Sequence, residues 1–222
     1  MDRTLRGVAV LAVVIGAAAA GLLGEAQTVA GPPPDTTTIT AAQRAAGPRF
    51  APEVAASDRE WVLASIAGAR PEAQRLIAEI DGLIEFRTHA GDPLGVTRTN
   101  VGAAGSSFVI DVDTASLNGR RVQDRDVTML HELGHAIDHA IVPAATNAVL
   151  EAGIPRSGSC DAGATGLVGS CATPEERFAD TFAKWALRGN VSAVGAGYEV
   201  ATPPSLEQWG APLAALAGEL PG

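Results

Sequence analysis

Five consecutive residues carry most of the chemistry in this chain: His131, Glu132, Leu133, Gly134 and His135, an H-E-x-x-H pattern. On an α-helix, residues four apart lie one above the other on one face, so both imidazoles can reach the same cation. Glu132 is offset by about 100° around that helix, near enough to touch a water on the cation without ligating it. This set suits zinc-assisted hydrolysis with Glu132 as general base. With only 4 histidines in the chain, a chance match is uncommon; the alternative is a helix bearing two surface histidines.

A hydrolytic zinc takes three protein ligands and leaves a fourth position to water. His139 lies one turn beyond His135, but about 12 Å along the axis from His131, too far to share one ion. The longer H-E-x-x-H-x-x-G-x-x-H pattern is also excluded, because Asp138 and Ile141 stand where it needs Gly and His. Glu175, Glu176 and Asp180 remain as candidates. Glu176 and Asp180 share a helix face, so one can bind zinc while the other accepts the second ring N–H of a ligating histidine. Glu176 is the preferred ligand and Asp180 its supporting acceptor. The alternatives are Glu175 or Asp180 as the ligand, and a Glu176 that merely completes a capping box with Thr173.

Two helices must present these groups. The first is expected over residues 124–142, with Asp124 or Asp126 as cap. It buries Val127, Leu130, Leu133, Gly134, Ile137 and Ile141 and stops at Pro143. The second is expected over 174–188, capped by Thr173, with Pro174 in its first turn and Gly189-Asn190 as its stop. Its apolar face is Phe178, Ala179, Phe182, Trp185 and Ala186. Between them, residues 144–173 read as a long Gly-, Ala- and Ser-rich loop holding Cys160 and Cys171.

Upstream, Ser57 and Glu60 suggest a capped helix over 57–69. Pro71 opens another, with Leu76, Ile77, Ile80, Leu83 and Ile84 at helical spacing. Residues 94–99 and 107–112 read as strands joined by a Gly-rich turn; the second precedes the metal helix and, at a sheet edge, could pair with an extended peptide. His89 reads as a surface histidine. A short helix over 206–216 completes an α+β, mainly helical fold with a small sheet next to the metal helix.

The N-terminal residues 1–26 read as a secretory leader: Arg3 and Arg6, then an apolar or small stretch over 7–24, then small residues suited to cleavage. The stretch is long enough to serve as an uncleaved anchor instead. Residues 27–50, with three consecutive prolines and a threonine run, read as a flexible linker, and 51–222 as the folded domain. In an exported chain Cys160 and Cys171 are expected to pair, contributing about 3 kcal/mol through the short loop they close. The net charge is −9. Losing 1–26 removes two acids and two bases and leaves that balance unchanged, so nothing favours nucleic acid or an anionic membrane surface.

The run His131-Glu132-Leu133-Gly134-His135-Ala136-Ile137-Asp138, followed by Glu176-Arg177-Phe178-Ala179-Asp180, resembles the gluzincin metallopeptidases. Within these, the E-x-F-A-[DE] element is most similar to the catalytic-domain group of anthrax lethal factor. The resemblance covers residues 107–188. It implies a zincin-like domain in which His131, His135 and Glu176 hold one zinc ion and Glu132 acts as base on a peptide or protein substrate. That group places a Tyr several residues before the Glu ligand as an oxyanion donor, whereas this chain has Gly169 near that position. Its only tyrosine, Tyr198, lies beyond the second helix and is the candidate donor. The expected function is a secreted zinc peptidase, membrane-attached only if the N-terminal segment stays uncleaved. The missing tyrosine keeps a second expectation open, a zinc-stabilised exported binding domain.

Overall fold

Alternation of apolar and polar side chains builds the sheet on which the site rests. In the computed structural model, which describes residues 10–15, 47–91, 93–102, 105–118, 122–156, 172–191 and 200–220, five strands lie in the order β1-β4-β5-β3-β2. They are β1 Val10–Ile15, β2 Arg49–Phe50, β3 Ile84–His89, β4 Gly95–Gly102 and β5 Gly105–Asp113. Along β5, Phe108, Ile110 and Val112 are buried while Val109 and Asp111 are only partly so, the period-2 pattern of a strand with one face on a core. β4 and β5 form an antiparallel hairpin, with Thr97 opposite Ile110. β3 runs parallel to β5, and β2 parallel to β3.

Three expectations change here. Ile84 opens β3 and does not extend the preceding helix: its apolar spacing fits either period, and Asp81–Leu83 forms a single 3-10 turn that ends the helix. Arg49–Phe50 pairs with β3, so the expected linker is already structured at its end. Residues 10–15, inside the expected leader, form β1 and pair antiparallel with β4, Val13 opposite Thr97 and Val14 opposite Val96. The other leader residues lie outside the described ones. Among the described residues no helix is long and apolar enough to cross a membrane.

The helices cover the sheet. α1 Ala56–Gly68 begins at Ala55 with no side-chain cap, so Ser57 lies within the helix and does not start it. α2 Pro71–Ile80 begins at its proline and buries Leu76, Ile77 and Ile80 completely. The short α3 Thr114–Asn118 follows β5, with Asp113 Oδ1 accepting from the Ser116 N–H at 3.0 Å. α4 Val122–Ala140 is the helix that carries His131 and His135, with Val127, Leu130, Leu133 and Ile137 all in the core; Ile141, just past its end, is only partly buried.

α5 Ala144–Ala152 occupies the first part of what reads as loop. Its composition hides it, since Leu150 is its one buried residue. α6 Pro174–Ala186 follows the expected cap, Thr173 Oγ1 accepting from the Glu176 N–H at 3.4 Å. It ends with Arg188 and Gly189 at φ 54° and 75°, the left-handed stop that glycine favours. The expected helix over 206–216 is two pieces, α7 Leu206–Trp209 and α8 Ala211–Glu219.

α4 and α6 pack directly against each other. A Cβ on Gly134 would lie 3.0 Å from the Ala179 backbone, so glycine is what lets the helices close to this distance. The helix penalty of about 1 kcal/mol for glycine is set against that contact. Mainly helical α+β architecture with a small sheet beside α4 is what the sequence leads one to expect.

Candidate metal centre

His131 and His135 project from successive turns of α4, and Glu176 from the first turn of α6. The two helices bring all three into the same buried spot; the histidines are 0% exposed and Glu176 1%. His131 Nε2 lies 3.0 Å from His135 Nε2 and 3.2 Å from Glu176 Oε2, with Glu176 Oε1 3.7 Å from His135 Nε2. Among the described residues these three form the group whose ligand atoms all lie within 4.8 Å of one another.

The electrostatics suit a cation. Burial pushes both imidazoles down to about 3, so each is neutral with a lone pair to offer. Burial raises Glu176 above the ordinary carboxylate range, opposed by His135. Its Oε1 is buried and has no hydrogen-bond partner. Two neutral nitrogens and a carboxylate make a donor set fit for a divalent transition metal, and these residues can hold one.

Glu132 is also 0% exposed. Thr97 on β4 places its hydroxyl 2.7 Å from Glu132 Oε2 and 3.0 Å from the Glu132 carbonyl oxygen, so one proton serves two acceptors. Oε1 has no such partner. Burial holds the carboxyl well above its usual range, Thr97 works against that, and the nearby Glu176 adds to it. β4 passes so close that a Cβ on Gly95 would meet Oε1 at 2.5 Å; that glycine leaves the carboxylate its place.

Asp180, one turn beyond Glu176, is 0% exposed. Its charge raises the proton affinity of His131, and His131 lowers that of Asp180, so the two lie within electrostatic reach. Its close partner is Lys184, whose Nζ lies 2.6 Å from Asp180 Oδ2.

His139 stays outside the cluster. Burial lowers its proton affinity, and the opposing charge comes from Glu175, which is likewise outside the metal group. Asp138, beside it, accepts from the Asn147 amide on α5, and burial raises it to about 7. His89 is not near the metal group either: Nδ1 meets Asp111 Oδ1 at 3.0 Å and Nε2 meets the Pro93 carbonyl at 2.7 Å. Tyr198, Cys160 and Cys171 lie outside the described residues.

Thr97, Gly95 and Lys184 belong to the site without having been singled out from the sequence. Lys184 was readable, four residues beyond Asp180 and therefore on its face. Nothing local marks the other two, which reach Glu132 only because β4 crosses α4. Compared with protein-family models, with curated proteins and with solved structures, the chain matches none.

Proposed function

We propose that the chain is a zinc-dependent peptidase of the gluzincin kind, exported by its N-terminal leader. The observation that carries this reading is the buried convergence of His131, His135 and Glu176 from two helices, with Glu132 alongside and one of its oxygens untied. A zinc ion held by the three ligands would supply Lewis acidity toward a water and a scissile carbonyl. Glu132 takes the water proton on Oε1 and delivers it to the leaving amine. Thr97 holds the other oxygen, so the carboxylate keeps one orientation through the transfer. Asp180 steadies His131 from behind. A peptide bond with no cofactor of its own is the substrate class that a base and a Lewis acid suffice for.

The complete burial of both imidazoles and Glu132 favours a second reading, a zinc-stabilised binding domain, since structural zinc sites are closed and catalytic ones open. One experiment separates the two. Purified full-length chain is assayed for metal content and digested against a broad peptide library, with and without chelator. One zinc per chain with chelator-sensitive cleavage is the expected result. Zinc without any cleavage selects the binding domain, and protein that takes up no zinc sinks both readings.

A further inference from the structure

Residues 176, 180 and 184 rise up one face of α6, a turn apart. The first is one of the three grouped metal-ligating side chains, and the second acts on His131 through its charge. The third, Lys184, is only 4% exposed, far deeper than lysine normally sits. Its ammonium has two partners: the Asp180 carboxylate at 2.6 Å and the Val200 carbonyl oxygen, which accepts at 2.5 Å. Val200 stands at the start of the C-terminal segment that carries α7 and α8. The buried cation therefore connects that segment to the group behind the metal ligand.

We propose that Lys184 is a positioning residue for the metal centre, holding Asp180 in the orientation that steadies His131 and fastening the centre to the chain at Val200. The proposal rests on the reading that His131, His135 and Glu176 bind zinc. The physical reason is that a carboxylate steadies an imidazole only if its own rotamer is fixed. In a dry interior an oppositely charged partner fixes it most firmly. Among the described residues Asp180 has no backbone N–H in that role, and its ion pair is with Lys184.

A lysine that only stabilised its helix would change folding and leave the metal alone. The test therefore reads the zinc dissociation constant, by competition with a chromophoric chelator, on the full chain. It compares wild type, Lys184→Met, Lys184→Arg, Asp180→Asn and the Asp180→Asn/Lys184→Met double variant. The melting temperature of each in excess chelator reports the fold separately. Lys184→Met is expected to weaken zinc by about 10- to 100-fold, the range for an outer partner of a ligand. Lys184→Arg should recover most of that. The double variant should bind no more weakly than Asp180→Asn alone, because both changes break one connection.

A Lys184→Met affinity within about threefold of wild type overturns the proposal, as do fully additive losses in the double variant. If Lys184→Met does not fold, Lys184→Gln is compared with Lys184→Arg, and equal zinc affinities overturn it in the same way. A wild-type chain that binds no zinc overturns both this proposal and the reading beneath it, whereas tight wild-type binding with an indifferent Lys184 overturns this one alone.

Discussion

Glu132 has one oxygen anchored by Thr97 and the other unanchored, in a pocket that disfavours its charge. Glu132→Gln keeps the volume and an oxygen for Thr97 to donate to, but removes the proposed base. The variant should retain stoichiometric metal and lose roughly 10²- to 10⁴-fold in kcat/KM on any peptide the wild type cleaves. Parallel metal analysis and peptide kinetics check this, and a fully active variant would refute the assigned role. His131, Glu132 and His135 were legible because four-residue spacing on one helix is local geometry. Glu176 was legible because its helix announces itself with Thr173 and Pro174. Thr97 was not: it meets Glu132 across 35 residues of chain, through a crossing of strand over helix that no local pattern encodes.

Among the elements, the long helices with clear start signals were readable, and the failures share a cause. Ile84 reads as helix because a short apolar run fits both periods; β5 decides the matter by offering a parallel neighbour. α5 has too few apolar residues to declare a face. It is held from outside, by the buried Arg177 guanidinium, which donates to Glu151 at 2.8 Å and to the Ile154 carbonyl at 2.8 Å.

The end of α2 carries a testable defect. Asp81 follows Ile80 at the negative end of the helix dipole, and burial raises its carboxyl from 3.8 to about 6. Because the folded value lies above the unfolded one, the fold loses stability as pH rises from about 4 through about 6. Asp81→Asn should relieve this by about 1 kcal/mol at pH 7.5, less than the full shift because Asp81 is partly exposed. That corresponds to a melting temperature about 2–4 °C higher, with no gain at pH 4. Thermal melts of the two chains at both pH values check it; an equal gain at both would assign the effect to something other than charge.

At the scale of the molecule, two closures hold the site. Gly134 against Ala179 sets the distance between the helices that carry His131, His135 and Glu176. Arg70 binds Glu207 at 2.8 Å, and its guanidinium lies 4.5 Å from the Trp185 ring centroid, which draws the C-terminal helices onto α6. The sheet has a third boundary, of another kind. At one edge lies β1, pairing along β4 from Gly95 to Asn100. Cleavage after residue 26 would take that strand away with the leader. β4 would then become an open edge, a row of backbone donors and acceptors running beside Glu132, where an extended chain can add. Hydrogen exchange at the alternate amides of residues 96–100 that face β1 should be slow in the full chain and fast once residues 1–26 are removed, while those facing β5 stay protected; equal rates for the first set would show that β1 guards nothing. Under that topology, a cut after residue 26 would both shorten the chain and expose the β4 edge in one proteolytic event.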